Sequence, residues 1–311
     1  MRISKKKSLL RFWCKLLAAL LLFPVLSYPL SLCTDHILRN GYLNAYEDKL
    51  RILAQTEGRK TMFVGGSSVL FGLSAEQYEA LSGEKTVNMG LNAGPYDVYL
   101  SSIEPYIGEG DTVILALEFE AYGSEWYKMD QTYLDLAHVT KGYAKSIPLR
   151  LLPEYCFKTT LNCYRRAYTL MYQQVQSVLD DDDQLYRRDL VNDHGDVKQD
   201  RLTAPKEVEA HQVSFAVKEE SMTMILDYVA RYEEKGAKVY LIHPPCYWVE
   251  NDELAEYEEA LKNCFGHRVL GKASDWLFTE NHCFYDTPYH LKPSGIQQRT
   301  EYLYELISQG N

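Results

Sequence analysis

Two short stretches, one near each end of the chain, hold residue types that acyl chemistry needs. In "FVGGSSVLFG" (63–72) an apolar run breaks into Gly65 and Gly66, then Ser67 and Ser68, before turning apolar again. In "FYDTPYHLKPSG" (284–295) Asp286 and Pro288 precede His290, and Gly295 follows. A serine hydroxyl is a weak nucleophile until a base accepts its proton. An imidazole oriented by a carboxylate is such a base. The other histidines are worse placed: His36 lies beside the apolar amino-terminal run, His138, His194 and His211 fall in a polar middle region, and His282 lies in a late loop. His243 follows an apolar run, and Pro244 and Pro245 are expected to hold it in a structural turn.

Several elements must position these residues. "TMFVGG" reads as a buried strand ending just before the serines, and "SAEQYEALSG" as a helix capped by Ser74 and stopped by Gly83. "KTVNMG" and the continuously apolar "DTVILALEF" read as two more strands, with a helix from Pro95 to Gly108 between them. The rhythm returns late in the chain: a helix ended by Gly236, the strand "AKVYLIHPP", the helix "DELAEYEEALKNCFG", and a closing helix with Pro293 in its first turn. Alternating strands and helices predict an α/β fold of three layers, αβα, around a central parallel sheet. In such sheets ligands gather at the carboxyl ends of the strands, where both serines fall.

From about 121 to 212 the alternation fails. A helical, Tyr-rich stretch and a polar, turn-rich one predict a helical insertion. Its tyrosines, among them Tyr133, Tyr155, Tyr164 and Tyr168, suit helical packing, with stacking on sugar rings as the functional alternative. The Asp180–Asp183 run lacks the spaced ligands and glycine of a calcium loop and reads as a solvated charge run. No metal site and no cofactor are expected.

The 311 residues are 46% hydrophobic, enough for one large core. Residues 1–33 carry six basic side chains and no acid. Of the 33 Lys and Arg in the whole chain that leaves 27 against 43 acids, a balance of −16 over 34–311. A body this acidic repels nucleic acid. The uncharged run Leu16–Leu32 behind a basic flank predicts a transmembrane anchor over 1–33, with the amino terminus cytoplasmic and the rest extracellular. A cleaved signal peptide is the alternative. Residues 34–60 are expected to form a linker helix leading into a domain over 61–311. Of seven cysteines, Cys156 and Cys163 are the pair that a bridge would join, and isolated thiols are the other expectation.

Taken together, "GGSS", "VNMGLNAGPY" and "YHLKPSG" resemble the block pattern of the SGNH/GDSL hydrolase superfamily. In that pattern a G-D-S turn follows the first strand, a Gly the second and an Asn the third, and D-x-x-H-P-x-x-x-G precedes the last helix. The His290-to-Gly295 spacing is that of the family. The resemblance covers roughly 61–120 and 238–311 and implies a flavodoxin-like sheet. It implies Ser67 as nucleophile, with Ser68 as the alternative register, His290 as base and Asp286 as its orienting acid. Gly66, Gly90 and Asn92 would line the oxyanion side. The chain departs from the family in two places. Thr287 stands where the family's Asp lies, with Asp286 one residue further back, and Glu118 and Glu120 stand near the position of the Asn. An ionised carboxylate cannot donate a hydrogen bond to an oxyanion, so one donor is lost.

In layout the chain is similar to membrane-anchored D-alanyl-lipoteichoic-acid biosynthesis (DltD-like) proteins and alginate-acetylation SGNH proteins. That likeness implies an esterase or O-acyltransferase acting on acylated envelope polysaccharide or a teichoic-acid-like polymer, beside a membrane-bound O-acyltransferase. The alternative is a catalytically weak or inactive SGNH-fold module that binds or assembles with such a partner.

Overall fold

The computed structural model describes residues 2–37, 41–124, 126, 129–140, 147–176 and 185–309. The chain divides into two compact units: Met1–Gly41 with Ile147–Gln184, and Tyr42–Ser146 with Leu185–Asn311.

The first unit pairs two helices, α1 (Arg2–Ile37) and α7 (Leu152–Gln176). The expected anchor is thus helical throughout. Among the described residues, however, no helix is long and apolar enough to cross a membrane. The side chains of Leu20, Phe23, Pro24, Ser27, Tyr28, Ser31 and Leu32, inside the apolar run, lie outside the described set. The described part is nonetheless apolar and exposed at Leu9, Leu10, Phe12, Trp13, Leu17, Leu21, Leu22, Val25 and Leu26. On α7, Cys156 is exposed and Cys163 buried, and no bridge joins them. The Asp180–Asp183 run lies outside the described residues.

The second unit holds a four-stranded parallel sheet in the order β2-β1-β3-β4: β1 (Lys60–Gly65), β2 (Lys85–Asn88), β3 (Thr112–Ala116) and β4 (Lys238–Leu241). The central register sets Val64 against Leu115 and Gly65 against Ala116. All six β1 residues are buried, as expected of a strand covered on both faces. Side chains alternate across the sheet. Phe63, Ile114 and Ala116 share a core with Tyr78 of α4 (Ala75–Ser82) and Leu303 of α10 (Pro293–Gln309). A second group of helices, α2 (Ala45–Gln55), α5 (Tyr96–Ile103) and α8 (Glu219–Glu234), also packs on the strands. They lock together through Tyr46 against Tyr99, with ring centroids 4.9 Å apart, and the Tyr232 hydroxyl donating to Leu100 O at 2.6 Å. This α/β arrangement is compatible with three layers.

Most boundaries match the local chemistry. Ser74 caps α4 by accepting from Gln77 N at 3.2 Å, and Gly83 ends it at φ 74°, a left-handed conformation that suits glycine. The helix expected from Pro95 to Gly108 is shorter: α5 ends at Ile103 and a 3-10 turn, Glu104–Tyr106, follows. Pro105 lacks the N–H that an α-helix would need there. The helix expected as a linker is packed into the second unit, with Tyr46, Lys49 and Leu53 buried. The stretch 121–212, expected as one insertion, is shared between the units. Its α6 (Gln131–Val139) belongs to the sheet-bearing unit, where the Tyr133 hydroxyl donates to Asp97 Oδ2 at 2.8 Å. The strand β5 (Cys246–Tyr247), helix α9 (Leu254–Phe265) and strand β6 (Leu277–Phe278) complete the unit.

Candidate active site

The chain leaves β1 through Gly66 and at once enters a single helical turn, α3 (Ser67–Leu70). Crowding explains the glycines. A Cβ on Gly66 would collide with the Glu118 carboxylate, one on Gly72 with Ser68 O, and one on Gly90 would stand 2.5 Å from Val69 Cβ. The two serines differ sharply. Ser68 is wholly buried and its hydroxyl has no hydrogen-bond partner among the described residues, whereas Ser67 is half-buried at the start of the turn. The Ser68 peptide is held at both ends. Its N–H donates to Glu118 Oε1 at 3.0 Å, and its carbonyl accepts from Arg299 Nη1 at 3.1 Å. Tyr96 donates to the other Glu118 oxygen at 2.6 Å.

Arg299 is 1% exposed and also donates to His243 O at 2.8 Å. Burial pushes its guanidinium down to about 9, opposed by the negative charge of Glu118. His243 is buried just past the end of β4. Burial pushes its imidazole down to about 4, against the pull of Asp275 and with the help of Arg299.

The carboxyl-terminal stretch folds back on itself as a narrow loop. Tyr285 N–H donates to His290 O at 2.8 Å, and Lys292 N–H to Cys283 O at 2.8 Å. That loop docks on α3: Leu291 N–H donates to Phe71 O at 2.9 Å, and the His290 ring stacks on Phe71 with centroids 4.1 Å apart. Asp286, four residues before His290, reaches its Nδ1 at 2.7 Å. The Pro288 turn thereby brings the displaced acid to the imidazole. The Tyr186 hydroxyl donates to the other Asp286 oxygen at 2.6 Å. Burial raises the Asp286 carboxyl, but the hydrogen bond and charge of His290, the Tyr186 hydroxyl and the Lys206 charge together hold it below the usual value.

The structure thus brings Ser67, Ser68, Gly66, Asp286 and His290 to the carboxyl ends of β1 and β3, where the strand order reverses direction. Among the described residues neither serine hydroxyl is hydrogen-bonded to His290; the link runs through Phe71. The oxyanion-side residues are differently placed. Gly90 N–H is taken by Asn88 Oδ1 at 2.9 Å, and the Asn92 side chain turns to its neighbour's carbonyl, Ala93 O, at 3.0 Å. The Gly90 donor is therefore engaged, because Asn88 lies just before it at the end of β2, while Asn92, in a half-exposed turn, gives one of its two amide hydrogens to Ala93 O. Ser67 N–H makes no hydrogen bond among the described residues and faces no such competition. The described residues contain no group of three or more His, Cys, Asp or Glu that could hold a metal.

Sequence reasoning missed Tyr186, Arg299, Asn88 and Tyr96, and it gave Glu118 only a negative role. An arginine on the same buried stripe of α10 as Gly295, Ile296, Thr300 and Leu303 is the local signal that could have found Arg299. No protein-family model matches this chain, and no curated protein matches it in sequence.

Proposed function

We propose that the chain is a serine esterase or O-acyltransferase of the SGNH type, acting outside the cytoplasm on acyl esters of envelope glycopolymers. The observation that carries this reading is the Asp286–His290 pair seated against the turn that bears Ser67. In the mechanism, Ser67 Oγ attacks the acyl carbonyl while His290 Nε2 takes its proton. Asp286 fixes the imidazole through Nδ1 and balances its charge. The carbonyl–oxygen bond to the leaving alcohol then breaks, and His290 returns the proton to that oxygen. Water or a sugar hydroxyl attacks the acyl-enzyme by the same path reversed, restoring Ser67. Ser67 is the nucleophile rather than Ser68 because its hydroxyl is the accessible one. Ser67 N–H, at the head of a helical turn, is the donor best placed for the oxyanion. A tether through α1, with the basic flank cytoplasmic, fits the exposed apolar surface of that helix.

The competing reading is a weak or inactive module that partners a membrane-bound O-acyltransferase. It is favoured by the engagement of Gly90 N–H, since one missing oxyanion donor costs about 10²–10³ in rate. The full chain in detergent should release p-nitrophenol from p-nitrophenyl acetate, and Ser67→Ala or His290→Ala should each lower that rate at least about 100-fold. Loss with Ser68→Ala alone would move the nucleophile by one residue. Failure of a fluorophosphonate to label the wild type would leave the binding module standing.

A further inference from the structure

A second histidine–carboxylate pair lies on the same rim. His211 Nε2 meets Glu120 Oε1 at 2.8 Å, and each side chain is 39% exposed. The Tyr289 hydroxyl donates to both Glu120 oxygens at 3.1 Å. Tyr289 precedes His290 directly, and its ring lies 5.6 Å from that of His211. Glu120 follows Glu118 by two residues, and both carboxylates help to push the Tyr289 and Tyr96 phenols up, after burial itself. One more aromatic ring is tied to the residue that follows Glu120. Trp126, half-buried, stands 6.3 Å from the Tyr96 ring, with its indole N–H bonded to Ala121 O at 3.2 Å.

The catalytic device needs none of these residues, yet they form a built surface beside it. A carboxylate has about four acceptor positions. At Glu120 one imidazole and one phenol hold the group in place, and its exposed part is left to face solvent. Fixed carboxylate acceptors beside an aromatic face suit a polyhydroxy ring, whose hydroxyls donate and whose C–H face packs on an aromatic side chain. Charge narrows the choice. Among the described residues Glu118 and Glu120 have no Lys or Arg ion pair, and Arg299, the cation nearest in effect to Glu118, is wholly buried. Lys206 lies on the Asp286 side of the site. A polyanion brought to Glu120 would meet carboxylates with no lysine or arginine paired to them.

We infer that Glu120, His211 and Trp126 form the acceptor subsite of this centre, and that the acceptor is a neutral or amine-bearing sugar rather than a phosphate-rich polymer. This rests on the acyl-transfer reading for its role, but the binding itself does not. The test is calorimetric titration of the full chain in detergent with cellotetraose, a glucosamine tetramer and poly(glycerol phosphate). Either sugar should bind the wild type, with Kd raised at least tenfold in Glu120→Gln and in Trp126→Ala, and the polyanion should not bind. His211→Gln, on the exposed side of the pair, decides the matter if Glu120→Gln fails to fold. Unchanged affinity in the folded variants, no sugar binding, or preferred binding of the polyanion would each overturn the subsite. Fluorophosphonate labelling of the wild type is read separately. Sugar binding without labelling removes the catalytic reading and keeps the subsite; labelling with unchanged sugar affinity in the variants does the reverse.

Discussion

At the scale of single residues, the acid partner of His290 shows how a displaced residue can still serve. Asp286 sits one position further from the histidine than in the SGNH pattern that the sequence resembles, and two things compensate: the turn at Pro288 and the Tyr186 hydroxyl that holds the second carboxylate oxygen. In the proposed mechanism Tyr186 is a positioning residue, so Tyr186→Phe should lower kcat/KM about 3- to 30-fold, roughly the 0.7–2 kcal/mol that one hydrogen bond contributes. A loss as large as that of His290→Ala, or none, would remove Tyr186 from that role. Buried His243 adds to the acid sensitivity. Its folded-state pKa of about 4 lies below the ordinary 6.5, so the unfolded chain binds the extra proton between those values. The His243 contribution is therefore full above about pH 6.5 and falls as pH drops toward 4, by about 3 kcal/mol at about 1.4 kcal/mol per unit. Asp286, whose pKa is depressed, adds a further loss only below the usual carboxylate value. Urea midpoints measured from pH 7.5 to 4.5 should show the decline, and His243→Gln should flatten it. An equally steep variant would mean that another group is responsible.

At the scale of elements, local signals placed the pieces and long-range contacts gave them their purpose. The β1 strand, the α4 caps and the closing helix α10 were legible because periodicity and cap chemistry are local properties. The packing of α2 was not, because its most telling residue reads as polar. Lys49 is wholly buried, and its ammonium donates to Asn88 O, at the end of β2, and to Gly195 O. Burial pushes it down to about 7, opposed by the charge of Asp196. Asp196 in turn accepts from Ala75 N at 2.7 Å and Glu76 N at 2.9 Å at the start of α4, and from Asn88 Nδ2 at 3.1 Å. The 185–202 segment is thus stapled to the sheet through polar groups that no apolar pattern reveals. Lys49→Met keeps the volume and leaves two buried carbonyls without their donor, which should cost roughly 2–5 kcal/mol. A chemical denaturation midpoint unchanged from wild type would show that α2 is held by its tyrosine and leucine contacts alone.

At the scale of the whole molecule, the charge division between 1–33 and the acidic remainder and the exposed apolar surface of α1 argue for attachment to a bilayer. Full-length protein should stay with the membrane pellet after sodium carbonate extraction, and recovery in the soluble fraction would remove the tether from the proposed function. By itself the sequence determined the alternation of strands and helices, the glycine-rich turn after β1 and the candidate residues at both ends, because periodicity, turn chemistry and residue type are written locally. Only the tertiary structure decided which serine is accessible and that Glu118 and Arg299 clamp the Ser68 peptide. It also decided that Gly90 N–H is already engaged and that Glu120 joins His211 on the same rim. Those outcomes depend on which groups meet across tens to hundreds of residues. A buried polar atom takes whichever partner the packing brings within about 3 Å, and no spacing in the chain records that choice.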